Sequence, residues 1–186
     1  DGEWLATGGG EPSRSGELKL WRVEDGGLAR DFGGIHSDCV MALAFSPRGE
    51  WLASGGADRF ARVTPLFEGA SPVNLEGHVH HVLDVAWLGD GGTLATAGAE
   101  GVVKLWDTRT WERRKNVEGF GKEITGLERA GFSQQFVALS GSGTGRVFKA
   151  DGEKVRDLTV ANVFLQCLAV SRDGRLAAGS GEDGVL

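Results

Sequence analysis

The sequence predicts an all-β chain, an arc of four-stranded antiparallel sheets, and three observations carry that prediction. A segment of about 42 residues recurs along the chain. Its small-residue stretches fall into register as Leu5-Ala6-Thr7-Gly8, Leu52-Ala53-Ser54-Gly55, Leu94-Ala95-Thr96-Ala97 and Ala177-Ala178-Gly179-Ser180. Two further rulers keep the same beat. A closing aromatic or its substitute falls at Trp21, Thr64, Trp106 and Phe148, with steps of 43, 42 and 42. A turn acid or its substitute falls at Ser15, Asp58, Glu100, Ser142 and Asp183, with steps of 43, 42, 42 and 41. A fixed period of this length marks a repeat architecture, whose units bury their apolar faces only against one another.

Each repeat divides into an inner strand a, then b and c, and an outer strand d. Strands a are expected at Cys39–Phe45, Val82–Trp87, Glu123–Arg129 and Phe164–Val170, where apolar and small residues alternate. Strands b are the small-residue stretches; Ala, Ser and Gly suit a place where two sheets approach closely. Strands c follow at Leu18–Val23, Arg59–Thr64, Val102–Trp106 and Arg146–Phe148. Pro47-Arg48-Gly49, Asp90-Gly91-Gly92, Asp151-Gly152 and Asp173-Gly174 are turn signals between strands. The first copy carries one insertion, the segment from Gly9 to Gly16, expected as a surface loop between strands b and c.

Laid on this period, residues 1–35 form a first unit without its inner strand. Complete units follow at 36–77, 78–119 and 120–161, and residues 162–186 begin a fifth. The total is about 4.4 units, which reads as a piece of a longer array.

Composition narrows the partners. The net charge is −6, and the one basic run, Arg113-Arg114-Lys115, lies between Glu112 and Glu118. A surface that tracks phosphates needs clustered Lys and Arg, so no nucleic-acid partner is expected. No run of 18 apolar residues is present, and no membrane partner is expected. Cys39 and Cys167 fall in inner strands of non-adjacent units; they read as buried small hydrophobes without a disulfide. His80 and His81 are successive strand residues whose side chains point to opposite faces, so no metal site is expected there.

The sets Gly77-His78, Thr93-Leu94-Ala95-Thr96-Ala97-Gly98 and Leu105-Trp106-Asp107 resemble the WD-repeat β-propeller family, and the likeness covers essentially the whole chain. It implies a β-propeller arc, a fragment of a ring of seven blades or so, roughly 300 residues in all. It also implies a buried tetrad in each blade, made of Trp indole, Ser or Thr hydroxyl, His ring and turn acid. The matching residues are His78, Thr96, Glu100 and Trp106 in the third unit, and His36, Ser54 and Asp58 in the second. Thr7 and Trp21 match in the first. In the second unit Thr64-Pro65 replaces Trp-Asp, and in the fourth Phe120 replaces His and Phe148-Lys149 replaces Trp-Asp. The family places the b–c and d–a loops on one face. Arg14, Asp38, His80, His81, Lys122, Glu123 and Asn162 fall on those loops and are the candidate partner contacts.

Ser54, His36 and Asp58 could be taken for a hydrolase triad. They recur with the period, however, and lack a strained nucleophile turn and an oxyanion site, so no catalysis is expected. The expected role is a non-catalytic scaffold for a protein or peptide partner. Residues 10–21 and 77–83 also look like segments of large bacterial proteins in which WD repeats accompany a c-type cytochrome. That likeness implies an alternative, an accessory module of an exported, periplasmic protein whose haem lies elsewhere; otherwise the chain is expected in the cytoplasm. No cofactor is expected in this segment, which has no Cys-x-x-Cys-His.

Overall fold

Seventeen strands form five antiparallel sheets in a computed structural model, which describes residues 2–67, 69–159 and 163–182. No helix occurs among the described residues. The first sheet holds β1 (Trp4–Glu11), β2 (Ser15–Arg22) and β3 (Leu28–Asp31). The second holds β4 (Val40–Phe45), β5 (Trp51–Gly56), β6 (Ala61–Pro65) and β7 (Val73–Leu75). The third holds β8 (Val82–Trp87), β9 (Thr93–Gly98), β10 (Val103–Asp107) and β11 (Arg113–Val117). The fourth holds β12 (Ile124–Arg129), β13 (Gln135–Ser140), β14 (Thr144–Lys149) and β15 (Lys154–Thr159). The fifth pairs β16 (Leu165–Val170) with β17 (Ala177–Gly181). Every sheet is a meander in sequence order, and neighbouring sheets meet through their inner strands, β4 on β8, β8 on β12 and β12 on β16.

Small residues let the sheets close on one another. All of β9 is buried, and Leu94, Ala95, Thr96 and Ala97 are wholly inaccessible. A Cβ at Gly55 would stand 2.8 Å from Val82 Cγ1 on the next sheet's inner strand, so that strand leaves no room for a side chain. Each apolar cluster spans two sheets. Leu105 and Val103 of the third pack with Ile124, Phe136 and Phe148 of the fourth, and Val63 and Leu75 of the second pack with Val82, Val85 and Trp106 of the third.

Each inner strand also carries one unpaired residue at the same place. The ladders skip Met41, Leu83, Thr125 and Gln166, a bulge that recurs with the period and sharpens the twist of the inner strand.

Two expectations need correction. The segment from Gly9 to Gly16 is not a loop. It extends the β1–β2 ladder, with Gly10 opposite Gly16 and Glu11 opposite Ser15, and turns at Ser13, whose φ is 60°. Additional ladder hydrogen bonds satisfy backbone groups that a loop would leave to water. The cysteines are both free, and neither is buried. Cys39 is half-buried just ahead of β4, and Cys167 is exposed on β16 with Sγ 2.9 Å from Ser180 Oγ. Cys167 lies on the two-stranded sheet, which has a neighbour on one side only among the described residues.

Candidate functional site

The third sheet brings His78, Thr96, Glu100 and Trp106 together. Trp106 Nε1 donates to Thr96 Oγ1 at 3.0 Å, and Thr96 Oγ1 lies 2.7 Å from His78 Nε2. On the other side of the ring, His78 Nδ1 is 2.5 Å from Glu100 Oε1. The donors run one way: indole N–H to hydroxyl, hydroxyl to Nε2, and Nδ1–H to carboxylate. Glu100 is longer than the usual Asp and still reaches the ring. Gly98 leaves the space for it, since a Cβ there would stand 2.5 Å from His78 Nδ1.

Electrostatics support the neutral ring. Burial pushes the His78 imidazole below its ordinary value, against the pull of Glu100. Burial works to raise Glu100, but the His78 hydrogen bond and the nearby Lys104, whose Nζ is 3.3 Å from Oε1, hold it down at about 2. The result is a neutral His78 donating to an ionised Glu100.

In the second sheet, His36 Nε2 lies 2.8 Å from Ser54 Oγ and His36 Nδ1 lies 3.0 Å from Asp58 Oδ1. No indole reaches Ser54. Thr64 stands at the Trp position, and its buried hydroxyl has no partner. Arg62 Nη1 donates to Asp58 Oδ2 at 2.7 Å. Ser54, His36 and Asp58 thus have the spacing of a hydrolase triad, but Ser54 is 0% exposed and His36 1%. A nucleophile sealed between two sheets has no surface for a substrate, so its hydrogen bonds serve packing.

The first sheet keeps Trp21 Nε1 donating to Thr7 Oγ1 at 2.9 Å, near the surface. Ser15, at the acid position by period, is drawn into the β1–β2 hairpin instead. The fourth sheet has exchanged the network as a unit. Phe120, Ala138 and Phe148 occupy the His, Thr and Trp positions, all within one apolar cluster, and Phe136 stacks on Phe148 with centroids 5.6 Å apart. Ser142, at the acid position, donates to the Phe120 carbonyl at 2.8 Å.

One periodic feature escaped the sequence reading. Lys19, Arg62, Lys104 and Arg146 hold the same place on successive strands c. Arg62 and Lys104 pair with the tetrad acids, whereas Arg146, with no tetrad acid to meet, pairs with Asp157 at 2.7 Å, lies over the Phe120 ring at 4.8 Å and donates to the Glu118 carbonyl at 2.6 Å. The signal was available: a basic residue two positions before each closing residue.

The candidate partner contacts fall on the face carrying the b–c and d–a loops. Ser13 N donates to Asp38 Oδ1 at 2.8 Å, so the hairpin bearing Arg14 is fastened to the entry of the second sheet. His81 is close enough to lower the Asp38 carboxyl, after the larger effect of the Ser13 and Cys39 amides. His80 and His81 precede β8 and do not lie in it, which corrects the expectation that they point to opposite faces; both are exposed, with rings edge to face at 4.8 Å. Three successive sheets therefore contribute to one patch. Lys122 is separate and sits over Phe164 at 5.9 Å. Glu123 is half-buried, its carbonyl accepting Gly141 N at 2.9 Å. Asn162 lies outside the described residues. Arg14 pairs with Glu11 at 2.5 Å in the open. Among the described residues, no three His, Cys, Asp or Glu side chains are grouped to hold a metal ion.

Small meander sheets joined through inner strands, one of them pinned by a buried Trp–Thr–His–acid network, have the architecture of WD-repeat blades. Residues 33–64 and 69–107 match the family described as WD domain, G-beta repeat, a match that falls on the second and third sheets. The chain is similar to Protein HIR1 of Eremothecium gossypii, at 25% identity over 181 residues, covering 80% of this chain and 22% of that protein. It is similar to the Periodic tryptophan protein 2 homolog of Neurospora crassa, at 28% over 144 residues, covering 76% and 15%. Coronin-7 of Rattus norvegicus is 32% identical over 108 residues, covering 54% and 11%. The chain spans about a fifth or less of these relatives' lengths. They are fungal and rodent proteins, and their names lend no support to a bacterial cytochrome fusion.

Proposed function

We propose that the chain is a non-catalytic scaffold that presents its b–c and d–a loop face to a protein or peptide. One observation carries the reading. The side chains with catalytic chemistry are sealed between sheets, while polar groups of three successive sheets gather at the exposed Glu11–Ser15 hairpin, the half-buried Asp38 and the exposed His80 and His81. Convergence of successive units on one surface is what a repeat array offers a partner. Its polar make-up and the net charge of −6 favour a protein or peptide over nucleic acid. No helix among the described residues is long and apolar enough to cross a membrane. No cofactor enters this role.

Affinity capture with the chain and with an Asp38→Ala, His80→Ala, His81→Ala variant tests the surface. The variant is expected to lose partners that the parent retains, with an unchanged circular dichroism spectrum. Retention of every partner by a folded variant overturns this choice of face.

A further inference from the structure

The opposite face carries a feature of another kind. Antiparallel meanders put the a–b and c–d turns at the end of the sheets away from His80 and His81. Between the second and third sheets on that face lies a cavity of about 270 Å³ lined by Trp51, Trp87 and Trp111. Trp111 meets Trp51 edge to face at 5.4 Å and Trp87 at 6.2 Å. A second cavity, of about 310 Å³, opens between the first and second sheets and is lined by Trp4. The turn at Pro47 and Arg48 lines both and stands as the ridge between them.

The hydrogen-bonding state of this surface is one-sided. Trp87 Nε1 is committed to the Ala44 carbonyl at 3.0 Å. The half-buried Trp51 and Trp111 have no indole acceptor among the described residues, which leaves two N–H donors beside aromatic surface. Asp90, the acid of the neighbouring turn, has both oxygens engaged, by Gly92 N at 2.8 Å and Gln134 Nε2 at 3.0 Å. Arg48 is exposed and has no ionic partner among the described residues; it lines both cavities, whereas Glu50 lines only one. Among the described residues, Arg48 is therefore the one cation of the ridge open to a ligand, and the carboxylates of Glu50 and Asp90 stand on the first cavity's side of it. Trp111 holds φ at 60°, a conformation a bulky residue adopts only when its surroundings impose it.

We propose that these paired tryptophan cavities bind a proline-rich peptide carrying an acidic residue between its prolines, in the extended polyproline II form. The chemistry is complementary at each point. Prolyl rings pack on indole faces, and a chain without amide hydrogens offers carbonyls to the open indole donors. The two cavities take prolines on either side of the ridge, and the intervening carboxylate pairs with Arg48. A preformed extended helix loses little entropy on docking. The site is independent of the loop-face scaffold, since it shares no residue with it.

The test is a titration of the chain with a blocked polyproline peptide bearing one central glutamate, read by the indole N–H resonances. The Trp51 and Trp111 signals are expected to shift. Trp111→Gly is expected to weaken binding about tenfold or more, the scale of a central interface aromatic. Glycine tolerates the backbone angle at that position, so the fold is expected to persist. Arg48→Glu, at an exposed position, is expected to weaken the glutamate peptide and to leave its glutamine counterpart unaffected. Unmoved indole signals, equal binding of a glycine–serine peptide, or the same shifts produced by tetramethylammonium in place of the peptide would each overturn the proposal.

Discussion

Asp84 on β8 accepts the backbone N–H of Leu127 on β12 at 2.7 Å, so a side chain of the third sheet completes the hydrogen bonding of the fourth. Its other oxygen accepts Val85 N at 2.8 Å. Trp87 makes the matching link backwards, from its indole to Ala44 of the second sheet. In a repeat array, such cross-sheet bonds decide how far unfolding of one unit spreads to the next.

Burial raises the Asp84 carboxyl to about 7, against the two amides that favour its charge, and Glu128 adds to the rise. A folded value above the unfolded 3.8 means that the native state binds more protons across that interval, so this group's contribution to stability falls as pH rises from 3.8 to about 7. Asp84→Asn removes the titration. The stability of the parent relative to this variant is expected to decline between pH 4 and pH 7, measured by urea denaturation at several pH values. A constant difference would contradict it.

The acid side has the opposite sign. His36 and His78 titrate below their ordinary 6.5 because burial disfavours the imidazolium, so stability is lost as pH falls through 6.5 toward the lowered values. Glu100, held at about 2, adds a further loss below 4.5. In the Asp84→Asn background, which removes the opposing titration, a decline in thermal midpoint beginning near pH 6.5 is expected, and His78→Phe is expected to flatten its upper part.

Thr64 buries a hydroxyl without a partner, and such a group costs about 1–3 kcal/mol. Thr64→Val keeps the shape and removes the orphan. A gain of roughly 1 kcal/mol in unfolding free energy is expected, read from the denaturant midpoint at an unchanged slope.

The fourth sheet suggests a test of concerted exchange. Trp106→Phe alone leaves Thr96 without its indole donor and is expected to destabilise by about 1–3 kcal/mol. Installing Phe at 78, Ala at 96, Ser at 100 and Phe at 106 copies the apolar solution of Phe120, Ala138, Ser142 and Phe148. With Lys104→Leu added, so that the buried Lys104 is not left without Glu100, it is expected to recover most of that loss. A combined variant less stable than the single one would contradict this.

Much of the architecture was legible. The period located each inner strand to within a residue at either end, because wedge-shaped sheets that stack sideways must repeat in length as well as in pattern. His78, Thr96, Glu100 and Trp106 were legible through their likeness to the WD-repeat motif, which the period alone would not have supplied. Other features were hidden. Trp51 and Trp111 hold non-equivalent places in different repeats, so no ruler pairs them. The hairpin from Gly9 to Gly16 read as a loop because a run of Gly and Pro carries no strand pattern, although its backbone found ladder partners. Phe120 and Phe148 read as lapses of a motif, when each makes sense only beside the other and Ala138.

Taken by itself, the chain's order of residues determined the all-β class and the spacing of the strands, since periodicity is a property of sequence; the buried polar sets followed from the motif's likeness to the WD repeat. Tertiary structure decided which groups face water. It sealed Ser54 and His36 between sheets, left Cys167 open, fastened Ser13 to Asp38 and brought three tryptophans from two repeats into contact. Exposure and long-range contact depend on how neighbouring sheets pack, and that is where sealed chemistry is separated from usable surface.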